Sequence, residues 1–408
     1  MLRSMFSAVS GLRSHQTMMD VVGNNIANVN TTGYKSSSTV FEDLLSQTVR
    51  GAGASTDNIG GTNAAQVGLG VRVAGMNTSF TQGALQNTGR ATDLAIQGDG
   101  FFMTEMSGEK LFTRAGSLSV DGSGKLVTVD GAKVQGWSAD PSTGKINQTG
   151  SVDDLIIPLG QLKQPKATDT VNMAGNLDAS AAIGATSKSS ITVYDKNGDA
   201  LDITVTFTKT AADQWSIATS GSGGTNASGS ITFGSDGLPS SYPTLTATTA
   251  DGSPIKVDLG SAGSALSGVT QFGGSNNASV AATEQNGWAM GFLRSYSISQ
   301  DGIVNGVFSN GRTQALGQIG LATFNNPGGL ERVGNSSFRA TVNSGLAQIG
   351  TPGSASRGLL SGGTLEMSNV DLSAEFTNLI TAQRGFQANS RVISASDELL
   401  QDLVNLKR

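Results

Sequence analysis

The 408-residue sequence has no cysteine, which excludes disulfides, thiolate nucleophiles, iron–sulfur clusters and cysteine-based zinc sites. Its one histidine, His15, removes multi-histidine metal sites and most Ser-His catalysis. Positive charge is also short: 26 Lys and Arg stand against 31 Asp and Glu, giving a net charge of −5. No global positive field exists to hold nucleic acid or an anionic membrane, so neither is expected as a partner. Runs of about 18 apolar residues are lacking, so no membrane-spanning helix and no membrane insertion are expected. Met1 to Val9 has no unbroken apolar stretch or small-residue cleavage site, and no cleaved leader is expected. There is no G-x-S-x-G elbow, phosphate loop or H-E-x-x-H. The expectation is no enzyme, with no catalytic, metal or cofactor-binding residue and no cofactor.

What is abundant is glycine, at 55 residues, while aromatic residues make up 5% and charged residues 14%. Thin cores joined by many turns follow, and the length suits two or three compact units. Low charge, many Gly, Ser, Thr and Asn residues and no cysteine fit an extracellular protein.

The two ends differ in kind from the middle. Met5, Leu12, Met19 and Ile26 recur every seven residues, with Ala8, His15, Val22 and Val29 three positions after each. Gly33, after an Asn-rich stretch, is the expected stop of a helix of about 25 residues. At the other end Leu365, Leu372, Leu379, Phe386, Ile393 and Leu400 share the seven-residue spacing, with Phe376 and Leu403 widening the stripe. Ser368 followed by Asp371 reads as the N-cap of a helix over about 369 to 405. A stripe of this kind is ordinarily the core face of a globular domain. Here the adjoining stretches, Lys35 to Gly75 and Gln348 to Gly363, are polar and Gly-rich and offer no partner. Isolated helices are marginal in water, so the stripes are expected to pack on each other and on further copies, with the ends unfolded or frayed beforehand. Met5, Leu12, Met19, Val22, Ile26, Val29, Leu372, Phe376, Leu379, Phe386, Ile393, Leu400 and Leu403 are the expected helix–helix assembly contacts. His15, on the seam, reads as a residue that sets register or bonds a neighbour.

Between the ends the period changes to two. Ile191 and Val193, then Asn197-Gly198, then Leu201, Ile203, Val205 and Phe207 predict a hairpin on a type I′ turn. Asp121-Gly122, Asp130-Gly131, Asp236-Gly237 and Asp301-Gly302 mark further turns. Arg114, Ser117, Leu118, Ser119, Asp121 and Gly122 echo Arg294, Ser297, Ile298, Ser299, Asp301 and Gly302 at the same spacing. The echo reads either as two hairpins converging on one turn chemistry or as two halves of one interrupted domain. The second reading gives an α+β multidomain fold, a terminal α-helical coiled-coil hairpin with nested, mainly antiparallel β domains. Its parts are 1–30 and 365–408 as the helical domain, 31–74 and 359–364 as a linker region, 75–145 and 285–358 as a discontinuous β core, and 146–284 as an inserted β domain. The Gly-rich runs at 51–61 and 220–229 read as loops, and Asp153-Asp154 as a solvated loop rather than a glycosidase pair.

Asn24-Asn25-Ile26-Ala27-Asn28, Thr31 and Gly33-Tyr34-Lys35, preceded by Ser10-Gly11-Leu12, resemble the N-terminal signature of bacterial flagellar axial proteins: rod, hook and hook-associated subunits. Ser368 to Leu406 resembles their C-terminal signature. Gln97 to Phe102 and Leu330 to Val342 resemble the intervening core. Within that family, the length and Gln135-Gly136-Trp137 before a β insertion are similar to hook subunits rather than the shorter rod subunits. The resemblance implies a homopolymer of many copies forming a flexible helical tube that transmits motor torque. It also implies contacts with other axial proteins (rod, hook cap, hook–filament junction), passage through the export apparatus and an extracellular location in the flagellum. Its signature turn falls on Asn24, Asn25, Ala27, Asn28, Thr31, Gly33, Tyr34 and Lys35, with Tyr34 expected to anchor the turn on an apolar surface. The alternatives are a distal rod or junction subunit and, from another class, a secreted β-rich carbohydrate-binding protein.

Overall fold

A computed structural model describes residues 2–55, 60–141, 143–160, 162–221, 224, 226–260, 268–273 and 279–405. The chain divides into two compact units: Met1–Pro158, Tyr296–Gly306 and Gln314–Arg408 form the first, Leu159–Ser295 and Val307–Thr313 the second. Two long helices belong to the first unit, and the rest of the described structure is mostly strand in several sheets.

Helix α1 covers Leu2–Ala27 and helix α2 covers Leu372–Asn405. Ser368 is not the cap of α2. Asp371 is: its Oδ1 accepts the Ser373 amide at 2.9 Å and the Ala374 amide at 3.3 Å, satisfying donors that the first turn leaves orphaned. The stretch after α1, read from sequence as partnerless, contains strands. Ser37–Asp43 pairs antiparallel with Val71–Thr78, and this ribbon packs on α1. Val71 donates its amide to Ser10 Oγ at 3.2 Å, and the His15 ring meets Phe41 edge-on at 5.8 Å.

The β body of the first unit follows the antiparallel order Thr313–Ile319, Lys133–Ser138, Phe101–Met106, Glu109–Thr113, Ser337–Arg339, Glu331–Gly334. The few aromatic residues are concentrated rather than dispersed. Phe101, Phe112, Phe324 and Phe338 are buried together with Phe80 against them, and Phe112 meets Phe324 edge-on at 4.8 Å. Edge-to-face geometry puts the positive ring edge on the negative face of its neighbour, so a small cluster gains specificity beyond its buried area.

The second unit is built from two five-stranded sheets sharing one apolar core. One is an antiparallel meander of Thr186–Tyr194, Ala200–Ala211, Gln214–Gly221, Ser228–Phe233 and Pro239–Ser241. In Ala200–Ala211 strict alternation sends Ile203, Val205 and Phe207 inward, as the period-two reading requires. The other sheet is mixed: Thr170–Asp178 runs parallel to Pro254–Asp258 and Val269–Phe272 and antiparallel to Ala281–Gln285.

The hairpin at Asn197-Gly198 is present, but its turn is not type I′. Only Gly198 has positive φ, at 87°, Gly198 donates to the Asp195 carbonyl, and Asp195 donates to that of Asp199. This is a type I turn closed by a glycine bulge, with the Asp195 carboxylate accepting the Asn197 and Asp199 amides. The same bonding recurs at 121–125 and 299–303. There the sequence echo fails in detail, because Asp121 opens its turn and Gly124 takes the positive φ, whereas Gly302 follows Asp301 and takes it directly. Of the Gly-rich runs, residues 56–59, 222, 223 and 225 lie outside the described residues.

Candidate assembly site

α1 and α2 pack on each other antiparallel. Gly11 lies against the Asn389 side chain, Gly385 against the His15 ring, and Asn25 Nδ2 donates to Glu375 Oε1 at 3.0 Å, so residue numbers fall along α2 as they rise along α1. The line of contact is made of small and polar residues: Ala8, Gly11, Ser14 and Asn25 on α1, with Ala382 and Ser396 buried on α2. Small side chains let two helix axes approach closely. His15 occupies the space beside Gly385, and its buried Nδ1 has no hydrogen-bond partner.

The large apolar residues behave differently. Val22 is buried, and Met5, Leu12, Met19, Ile26, Val29, Leu379, Ile393 and Leu400 are half-buried along the flanks of the seam. Leu372, Phe376 and Phe386, expected on a helix–helix contact, are exposed within the single chain, Phe376 by 51%. Phe6, at 67%, and Ile380, at 58%, join them with Val9, Val392 and Leu399. Leu403 falls where the side chain is outside the described residues. The two ends pack on each other within one chain and leave Leu372, Phe376, Ile380 and Phe6 uncovered.

The base of the pair is a polar knot built on the signature turn. Asn28 Nδ2 donates to the Asn24 carbonyl at 2.9 Å, Thr31 Oγ1 donates to Asn28 Oδ1 at 3.0 Å, and Gly33 turns the chain at φ 68°. A Cβ on Gly33 would stand 2.5 Å from the Ala115 nitrogen, so only glycine fits both the angle and the space. Asn25 is fully buried and satisfied: its Oδ1 accepts Tyr34 Oη and the Ser37 amide, both at 3.1 Å, and its Nδ2 also donates to the Ser37 carbonyl at 2.7 Å. Tyr34 is thus held by polar partners at its hydroxyl, with the Arg332 guanidinium 5.0 Å over its ring. Ala27 is exposed at the last turn of α1.

Lys35 is the centre of the knot. Its Nζ donates to Glu366 Oε1 at 2.6 Å and the Thr81 carbonyl at 2.7 Å, with both charged side chains fully enclosed. Glu366 Oε2 meets Arg114 Nη1 at 3.4 Å, Glu366 Oε1 accepts the Gly83 amide, and its carbonyl accepts the Gly33 amide. Burial pushes the Lys35 ammonium below its ordinary pKa, against the pull of Glu366, and burial lowers Arg114 in the same way. Asn369 adds a second tie, accepting the Ser36 amide at 2.7 Å and donating to the Ser79 carbonyl at 2.9 Å. Chain segments far apart in sequence are locked here where both helices meet the β body. Glu366, Arg114, Asn369 and Arg332 escaped the sequence reading. The available signal was Lys35 itself, since a lysine in a buried turn demands a carboxylate, and Glu366 stands immediately before the C-terminal signature.

Asp153–Asp154 forms a short strand rather than a loop, paired with Gly136 and Gln135. Burial would raise the Asp154 pKa, but bonds from Lys125, Gln135 and Lys133 outweigh it and hold it at about 2. A carboxylate so firmly ionised is a structural ion-pair centre, unsuited to donating a proton.

Comparison with known proteins matches this geometry. The chain matches the families described as flagella basal body rod protein over residues 5–35, flagellar hook protein FlgE/F/G D1 domain over 95–222, flagellar basal body protein FlaE D2 domain over 161–288, and flagellar basal body rod FlgEFG protein C-terminal over 361–406. Helix pair, knot and β body thus define an axial protein of the bacterial flagellum. The chain is 40% identical to the flagellar hook protein FlgE of Borreliella burgdorferi, with 100% of both chains covered, and 38% identical to that of Salmonella typhimurium, over 99% of this chain and 100% of the other. It is 33% identical to the flagellar basal-body rod protein FlgG of Bacillus subtilis over 100% of both. Its fold resembles the crystal structure of Helicobacter pylori flagellar hook protein FlgE2 with a TM-score of 0.58 at 14% identity, covering 69% of this chain and 100% of that one. The chain belongs to the flagellar hook protein FlgE family.

Proposed function

We propose that the chain is the structural subunit of a flagellar hook, self-assembling into a flexible helical tube that couples motor to filament outside the cell. The supporting observation is the mismatch in the helix pair. Its own seam uses Ala8, Gly11, Ala382 and Gly385, while Phe6, Phe376, Ile380 and Phe386 stay exposed. Apolar area left in water on a rigid scaffold is the driving force for association. Residues 1–30 and 365–408 form the inner tube as a coiled-coil-like layer, with Met5, Leu12, Met19, Val22, Ile26, Val29, Leu372, Phe376, Leu379, Phe386, Ile393, Leu400 and Leu403 as helix–helix contacts between and within copies. Residues 31–74 with 359–364, 75–145 with 285–358, and 146–284 follow as linker, β core and inserted β domain. Polar, wet contacts among the β domains suit a tube that bends, because water replaces a lost contact at little cost.

Electron microscopy of polymers grown from the purified full chain tests this reading. Curved, flexible tubes are expected. The 33% identity to a rod protein favours one other reading, a distal-rod subunit, which straight stiff tubes would select. Absence of any polymer above micromolar concentration contradicts both.

A further inference from the structure

Asparagine followed directly by glycine occurs four times in the chain, at Asn197-Gly198, Asn286-Gly287, Asn305-Gly306 and Asn310-Gly311. As sequence the four are equally reactive. Glycine has no Cβ to shield its backbone nitrogen, which can reach the Cγ of the preceding asparagine and close a five-membered ring. Closure needs an asparagine side chain free to swing and a backbone free to follow it. The fold grants those freedoms unequally.

Three of the pairs are restrained. Asn286 is tied at both ends of its side-chain amide: Oδ1 accepts the Asp169 amide at 3.1 Å and the Thr170 amide at 3.2 Å, while Nδ2 donates to Asp169 Oδ1. Gly287 behind it is buried and donates its own amide to Gln285 Oε1 at 2.6 Å. Asn310 Nδ2 donates to the Ala289 carbonyl at 2.9 Å, and its Oδ1 accepts the Arg312 amide at 3.2 Å. Asn305 is half-buried within the strand Ile303–Phe308 and is followed by the buried Gly306, so its backbone is fixed. Asn197 differs from all of them. It is exposed at the tip of its hairpin, and among the described residues its side chain has no hydrogen-bond partner. Gly198, packed on Pro165 at φ 87°, gives its amide to the Asp195 carbonyl at 3.1 Å, and this turn bond must open for the ring to close. A single bond at a hairpin tip opens locally at less cost than a strand does.

We propose that Asn197 is a site of spontaneous deamidation in the folded chain, set apart by the fold from the other three Asn-Gly pairs. The Gly198 nitrogen bonds to Asn197 Cγ, the Cγ–Nδ2 bond breaks, and ammonia leaves with the proton that the Gly198 nitrogen gives up. Water then opens the resulting succinimide at one of its two carbonyls, giving aspartate or isoaspartate. One water is consumed, one ammonia is released, and nothing is oxidised or reduced. Either product adds a negative charge to a turn that already holds Asp195 and Asp199, with Asp251 bonded to the Lys196 amide. Isoaspartate also lengthens the main chain by one carbon. Asp195 Oδ1 now accepts the Asn197 amide at 2.9 Å and the Asp199 amide at 2.8 Å, and that extra carbon separates the two donors.

Peptide mass spectrometry of the full chain, incubated in mildly alkaline buffer made with oxygen-18 water, tests this, since the heavy oxygen marks only product formed during the incubation. Asn197 should convert about tenfold faster than Asn286, Asn305 or Asn310 while the chain is folded, and in strong denaturant the four rates should come together. Fragmentation that separates aspartate from isoaspartate should find both at position 197. Amide exchange should then quicken at 195–199 in the aged protein. Asn197→Gln, whose longer side chain closes the ring far more slowly, should remove both changes and leave the other three sites as they were. Equal rates at the four sites in the folded chain, or earlier conversion of Asn286 or Asn310, would overturn the assignment. So would the same tenfold lead of Asn197 in denaturant, because the selection would then come from the neighbouring sequence and not from the fold.

Discussion

The helix-bearing end of the molecule and the core of the second unit solve the same packing problem in opposite ways. The second unit buries Val205, Phe207, Trp215, Ile217 and Ile231 between two sheets, though Ile183, Phe272 and Met290 stay exposed at its surface. The helix pair buries Ala8, Val22 and Ala382, ties its base with Asn25, Lys35 and Glu366, and turns its phenylalanines out. One region rests on a large apolar core of its own. The other is positioned accurately yet left with unspent apolar surface, which is the property a polymerising subunit requires.

The sharpest way to separate the regions is to damage each where it is strongest. Lys35→Ala leaves Glu366 enclosed without its nearest cation and should cost the first unit about 3–5 kcal/mol, lowering one calorimetric transition while the second unit's stays in place. Phe207→Ala should do the reverse, removing about 3–5 kcal/mol from the second unit alone. A single merged transition shifted equally by both changes would break the distinction. Next in size, Gly11→Leu forces a bulky side chain towards Asn389 and should weaken the helix pair by about 1–3 kcal/mol, seen as faster amide exchange in α1 and α2 with none in the β body. Asp371→Ala removes the α2 cap and should cost about 1 kcal/mol, with fraying confined to the first turn.

The smallest effect concerns pH. Burial raises the Glu375 pKa above its ordinary value, the Asn25 bond opposes this, and Asp371 adds to the rise. A raised carboxyl pKa means that the ionised form destabilises the folded state at neutral pH, a penalty that fades as pH falls through the folded pKa and is gone below the unfolded one. Glu375→Gln, which keeps an acceptor for Asn25, should protect the helix pair slightly at pH 7, and the two proteins should converge on acidification. Equal exchange rates at pH 7 would contradict the assignment.

Much of this was legible in the sequence. The seven-residue periods marked both helices, and period-two alternation marked the strand carrying Ile203, Val205 and Phe207. The phase of the helix seam was not legible. Hydrophobicity drew it through Leu372, Leu379 and Phe386, but the contact inside one chain follows Glu375, Ala382, Asn389 and Ser396, three positions along. Small residues give no hydrophobic signal, so a pattern search finds the stripe with the greatest apolar mass, and here that mass lies half-buried beside the seam or, at Leu372, Phe376 and Phe386, is exposed. The polar knot was hidden for a related reason. Asn25 and Lys35 stood out as a signature, but only folding brings Glu366 to Lys35 across more than three hundred residues. Turn chemistry was half legible: the Asn197-Gly198 pair located the hairpin, while the Asp195 carboxylate decided its type.

The most direct measurement is sedimentation of Phe386→Asp beside the wild type. Phe386 keeps only 36% of its surface exposed in the single chain, so the variant monomer should stay folded while losing about 1–2 kcal/mol. In the tube the same aspartate would be buried without a partner, so polymer should fail to form at concentrations where wild type assembles fully. Tubes of normal length at the normal critical concentration would mean that the outward stripe is not where copies meet.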